Sequence, residues 1–211
     1  MAQAIDYDAL VAMLHAAAAK VVAQTDELGR LDAFAGDGDH GTTMKRAMGV
    51  LEKAVADHAT RTLSALLKAV GWELMGVDGG CAPPLVGSLF NGMAKAAKDL
   101  DELDSAALAT VFEAGLASFA KQSKANVGDK TMMDALAPAV AAISAGAAAG
   151  DSPAGCLAAA ADAAAAGAAA TTTMQARFGR ARNLGERSIG AADAGATSMS
   201  LIFRGFAEAV G

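Results

Sequence analysis

Three carboxylates, Asp32, Asp37 and Asp39, fall within eight positions of one another in the run LDAFAGDGDHG, interleaved with Gly36, Gly38 and Gly41. Glycines let the backbone turn those side chains toward a common point. Carboxylates about 5 Å apart repel by roughly 3 kcal/mol per pair at an effective dielectric near 20, so the cluster either collects a cation or splays into solvent. All-oxygen hard ligands select Mg²⁺ or Ca²⁺ over zinc. An EF-hand is excluded: counting from Asp37 puts Gly41 at the fifth ligand position and Met48 where the bidentate glutamate belongs. An Mg²⁺ site completed by ligand phosphates fits better. On this loop alone, a solvated acidic turn stands beside it.

The same run matches G-x-G-x-x-G, but it follows a helical pattern instead of a strand and carries acids where a pyrophosphate would lie, so the dinucleotide reading is rejected. It also lacks the lysine of a P-loop. What survives is a helix start at Gly41, Thr42 and Thr43, whose amides and hydroxyls suit an anion, with His40 beside them as a donor to a phosphate oxygen.

Three further loops are unusual. In VDGGCAP, Gly79 and Gly80 precede Cys81, Ala82, Pro83 and Pro84, which is either a helix start or a close backbone approach to a ligand. In KANVGDK, the residues Gly128, Asp129, Lys130 and Thr131 read as a turn and cap with a charged rim, and Met132 or Met133 is placed to cover a flat ring. The fourth, with Arg177, Arg180, Arg182, Glu186 and Arg187 ahead of Asp193 and Gly195, is too long and charged for a mere connector. Guanidinium groups there offset phosphate charge or form a surface salt-bridge lid.

These loops need elements to hold them. Hydrophobic residues make up 54% of the 211 positions but aromatics only 4%, so the apolar mass is Ala, Leu, Val and Met, which favour helices over strands. Apolar periodicity and Gly, Pro or Asp breaks predict eight helices near 6–29, 42–57, 60–76, 84–98, 104–121, 131–147, 153–175 and 194–209. The expected fold is all-α, an up-and-down antiparallel bundle or barrel in a single domain over 1–211. Alternate loops of such a bundle lie at one end, so the four unusual loops converge on one rim, with helix amino termini pointing into a phosphate-sized site.

A net charge of −6 leaves no basic stripe for nucleic acid. The weakly charged stretch from Ala135 to Met174 is broken by Pro138, Asp151, Pro153 and Asp162, so no membrane span is expected. Cys81 and Cys156 form no CxxC, and Asp6, Asp8 and His15 interrupt any export signal. A reducing, cytoplasmic setting is expected.

With these residues in place, the chain resembles the nucleotide-binding L subunit of dihydroxyacetone kinases. The matching blocks are LDAFAGDGDHGTTM, GGCAPPLVG, VGDKTMMDALAP and TTMQARFGRARNLGERSIGAADAGATS, in order and over almost the whole chain. The resemblance implies an eight-helix barrel binding ADP or ATP with two Mg²⁺ at one rim. It makes Asp32, Asp37 and Asp39 the magnesium ligands. His40, Gly41, Thr42 and Thr43 would meet the phosphates, and Cys81, Ala82, Ser123 and Met132 the nucleotide. Arg180, with Asp193, Ala194 and Gly195, would close the site; Arg180 and His40 are the residues it gives to catalysis. It further implies a partner, the K subunit, which holds a small sugar covalently. Three departures stand out. GGCAPP replaces the usual Gly-Gly-Ala-Ser-Gly-Pro, putting Ala82 in place of a serine hydroxyl. His40 looks like the branch coupled to the phosphotransferase system, in which bound ADP is recharged in place by an M subunit, whereas GDGD and the threonine pair look like the ATP-using branch. Ser123 stands where glycine is usual. A four-carbon ketose as acceptor, or a nucleotide-loaded module that binds a transcriptional regulator, are the alternatives.

Overall fold

The computed structural model describes residues 4–211. Among these, nine α-helices account for the architecture: α1 (Tyr7–Ala23), α2 (Thr25–Ala35), α3 (His40–Ala56), α4 (Leu63–Met75), α5 (Ala82–Ala96), α6 (Ser105–Ser123), α7 (Met133–Ala149), α8 (Pro153–Ala170) and α9 (Ala194–Val210). No strand forms among the described residues; a single bridge pairs Ile5 with Leu103. Side-chain caps set several of the starts: Asp6, Thr62, Asp104, Ser152 and Asp193 each accept a backbone amide three residues on.

Helix neighbours close into a ring. From α3 to α9 each helix packs on the next, α9 returns to α1, and α1 packs on α3. The short α2 stands outside that ring, against α3, α9 and the chain that precedes α9. Inside, Phe112 of α6 meets Phe203 and Phe206 of α9 with ring centroids 5.7 and 6.2 Å away, and all three are buried. The Pro153–Thr173 segment is long and apolar enough to cross a membrane by length and composition, yet it packs between α7 and α9. Alanine suits this position, since small side chains let helices approach closely at native packing density.

The expected helix over 6–29 is two helices. Thr25 donates its hydroxyl to the Val22 carbonyl at 2.7 Å, and Gln24 leaves the helical region (φ −108°, ψ 19°), so the chain bends and α2 starts afresh. α2 then runs on to Ala35, which puts Asp32 in its last turn and not in a loop. The expected helix over 153–175 stops at Ala170, after which residues 171–193 form a strap with short 3-10 turns at Thr171–Thr173 and Arg180–Ser188.

Candidate functional site

All four unusual loops meet at one end of the ring, around a cleft of about 340 Å³. The three-carboxylate cluster lines it. One oxygen from each of Asp32, Asp37 and Asp39 lies within 4.8 Å of the others. Asp39 occupies the N-cap position of α3 but makes no side-chain cap bond, which leaves its carboxylate available. Asp32, half-buried, accepts the His40 amide at 3.2 Å, so α2 and α3 hold the cluster from both sides.

His40 lines the cleft, but its ring is turned to α9: Nε2 lies 3.1 Å from the Ser198 hydroxyl. Burial lowers its pKa, against the Asp32 charge and the Ala194 backbone, which favour the imidazolium. Thr43 also lines the cleft. Gly41 and Thr42 do not. Gly41 is buried, and a Cβ there would fall 2.0 Å from the Thr25 carbonyl oxygen, so its lack of side chain serves the contact of α3 with α2. Thr42 turns its hydroxyl back to the Asp39 carbonyl at 2.9 Å.

The second loop reaches the cleft through Gly79, Gly80, Cys81 and Ala82. Gly79 and Gly80 have φ of 109° and 81°, a region that favours glycine. Pro83 and Pro84 carry no N–H, so the first turn of α5 has few amides to offer an anion beyond that of Ala82. From the third loop come Lys130, Thr131 and Met132; Ser123, at the end of α6, accepts the Ala125 amide at 3.3 Å. Lys130 is a correction to the expected charged rim. It is buried, donating to the carbonyls of Thr171 and Ala191, and burial lowers its pKa against the pull of Asp193 and Asp134.

The strap supplies Phe178, Gly179, Arg180, Ala191, Ala192 and Asp193. Arg180 forms an ion pair with Asp37, so the fourth loop bridges the cleft to the first. Asp193 caps α9 by accepting the Ala196 amide at 2.7 Å. Burial pushes its carboxyl up to about 6, while that amide and the Lys130 ammonium pull the other way. Ala194 and Gly195 complete the wall, so α9 presents its amino terminus to the cleft.

A family model described as the DAK2 domain matches residues 34–208, which includes Asp37 and Asp39 and begins just after Asp32. The chain belongs to the DAK2 domain family. This DAK2 chain is 36% identical to the ADP-binding subunit of a PEP-dependent dihydroxyacetone kinase from Listeria innocua, the match taking in 83% of each chain. It is 36% identical over 86% of each chain to the corresponding subunit from Escherichia coli. To a D-erythrulose kinase from Mycolicibacterium smegmatis it is 35% identical, covering 95% of itself and 35% of that enzyme. The solved dihydroxyacetone kinase of C. freundii in complex with AMP-PNP and Mg²⁺ superposes with a TM-score of 0.73 at 28% identity, over 95% of this chain and 34% of that one. The DAK2 chain therefore spans most of the separate subunits and about a third of the longer kinases. Sequence reasoning did not assign Lys130, Phe178 or Gly179 to its cleft. For Lys130 the signal was thin: the acids that favour its charge are Asp193 and Asp134, and only Asp134 lies near it in the chain.

Proposed function

We propose that this chain is the nucleotide-bearing domain of a dihydroxyacetone-type kinase, a phosphotransferase that works with a separate sugar-holding K subunit. The observation that carries the reading is the juxtaposition of Asp32, Asp37 and Asp39, within 4.8 Å, with the amino terminus of α9 and Arg180 around one cleft. The chemistry of that donor set, oxygen only and carboxylate only, fits Mg²⁺. Asp32, Asp37 and Asp39 would hold two such ions, which when bound neutralise phosphate charge. The chain's own residues do the rest by positioning. The glycine-rich second loop brings backbone amides to the phosphates of ADP or ATP, Met132 and Cys81 border the nucleotide, and Arg180 faces the charge that builds on the transferred group. His40, neutral and tied to α9, fixes the start of α3 against the start of α9. No residue of the rim stands as general base, so the acceptor hydroxyl is activated in the partner.

Dihydroxyacetone is the acceptor of this reading. A four-carbon ketose is the second, favoured by the erythrulose kinases among the relatives. Recharging of bound ADP by an M subunit of the phosphotransferase system would make the nucleotide a resident cofactor; the relatives from Listeria and Escherichia coli are named as ADP-binding subunits of PEP-dependent kinases. Denaturing the purified protein and measuring released nucleotide and magnesium on one sample separates the two donors: stoichiometric ADP supports the resident form, and empty protein that binds added Mg-ATP supports an ATP-using one. The reading itself is tested by Asp37→Asn and Asp39→Asn. Each is expected to abolish Mg-dependent nucleotide binding in calorimetry with the helical signal intact, and retention of tight binding in both would sink it.

A further inference from the structure

Lys130 is the one buried cation among the described residues, 4% exposed, and its backbone sits in the left-handed region at φ 61°. A residue other than glycine stays there only when its surroundings over-determine it. Here Asp134, at the start of α7, accepts the amides of Gly128 at 2.5 Å and Thr131 at 2.7 Å and so clamps the turn on both sides of Lys130. The side chain is thereby aimed under the strap. Its ammonium donates to the Thr171 carbonyl and the Ala191 carbonyl, both at 2.6 Å, and these belong to the two ends of the strap. The Asp193 amide closes the same point by donating to the Thr171 hydroxyl at 2.8 Å. Beyond this, the third loop holds the strap through the Arg177 amide on the Asp129 carbonyl (3.1 Å) and a 3.6 Å ion contact between those two side chains.

We propose that Lys130 is the positioning residue of the strap: one compact ammonium draws both strap ends onto the third loop and so sets Phe178, Arg180 and the start of α9 over the cleft. An ammonium is suited to this because it donates in three directions and accepts nothing, so one group holds two carbonyl oxygens at once. Without it the Thr171 carbonyl would keep only the Met174 amide at 3.1 Å, and the half-buried Ala191 carbonyl would lose its Lys130 partner. The consequence is that a residue of the third loop controls whether Arg180 reaches Asp37.

Hydrogen exchange on the ligand-free protein tests the positioning alone. In Lys130→Met, the amides of Ala176, Ile189 and Gly190 are expected to exchange at least about tenfold faster while those of α4 and α5 keep their protection. Unchanged strap protection overturns the proposal. If that variant does not melt cooperatively, Lys130→Gln, which leaves an amide donor in place, carries the same comparison. The effect on nucleotide rests on the function proposed above and is read as a coupling. Lys130→Met is expected to weaken Mg-AMP-PNP binding about tenfold in the otherwise native protein but less than about twofold in an Arg180→Ala background, because the residue acts through Arg180. Full additivity overturns that link. Absence of Mg-AMP-PNP binding by the unaltered protein would instead defeat the kinase reading and leave the exchange result standing.

Discussion

Asp193 shows how one residue serves two demands. It must accept the Ala196 amide to start α9, yet burial holds its carboxyl near 6 instead of the usual 3.8. The native state therefore grips this proton more tightly than the unfolded chain does. Its contribution to stability is complete below about pH 4 and is lost as pH rises through about 6. Asp193→Asn keeps a cap acceptor without the charge. In metal-free, nucleotide-free buffer it is expected to melt above the unaltered protein at about pH 7.5 and together with it at about pH 4; a gain confined to low pH would contradict the sign. Gly41 makes the opposite lesson. Its type and place beside the acids suggested an anion, whereas a Cβ there would lie 2.0 Å from the Thr25 carbonyl oxygen. Gly41→Ala is expected to destabilise the fold by about 1–3 kcal/mol, the usual penalty for overpacking, as read by thermal melting. Were the glycine there only for phosphate, the melting temperature would hold and nucleotide affinity alone would fall. The convergence of the three aspartates was legible from type and spacing because the glycines between them let the backbone turn those carboxylates together; a glycine has no side chain to betray which close approach it serves.

At the scale of elements, the helices were legible wherever apolar periodicity ran between capping residues. α5 expected near 84–98 is Ala82–Ala96, and α9 expected near 194–209 is Ala194–Val210. Two features were not legible. The bend at Gln24 comes from a single hydroxyl, that of Thr25 on the Val22 carbonyl, in a stretch whose periodicity alone would carry a helix straight through. The strap 171–193 has no periodicity at all, because its shape is set by partners far away in the chain: Lys130, Asp129 and Asp37. Such an element should open independently of the ring, and Arg177, Arg180, Arg182 and Arg187 make it a string of trypsin sites. First cleavage of the ligand-free protein is expected within 177–187. Mg-ADP at one hundred times its Kd, bound only to the closed strap, is expected to slow that cut by roughly 100-fold. First cleavage elsewhere, or a rate indifferent to Mg-ADP, would show that the strap is not what encloses the nucleotide.

The whole molecule is a ring of helices whose inner space is filled by a few large side chains, and the scarcity of aromatics makes each of them count. Of seven phenylalanines, Phe112, Phe203 and Phe206 meet at one place, with centroid separations of 5.7, 6.2 and 5.9 Å, and join α6 to α9 across the interior. Both helices also carry the site, since α6 ends at Ser123 and α9 begins just after Asp193, so the centre of the core sets how far apart those two walls of the cleft stand. With Phe112 and Phe206 held on the same two helices, a gap of that size closes only if a helix moves. Phe203→Ala is therefore expected to cost about 3–5 kcal/mol, the range for removing a buried aromatic ring, which for a chain of this length lowers the melting temperature by roughly 6–20 °C. The single tryptophan is the control: Trp72 is 71% exposed on α4, and Trp72→Ala is expected to change stability by less than about 0.5 kcal/mol. Nucleotide affinity should follow the core and not the surface. A Phe203→Ala protein that still melts cooperatively is expected to bind Mg-ADP several-fold more weakly although no atom of Phe203 lines the cleft. Unchanged affinity in that variant would mean the rim loops hold their own geometry, through Lys130 and Arg180, without help from the ring beneath them.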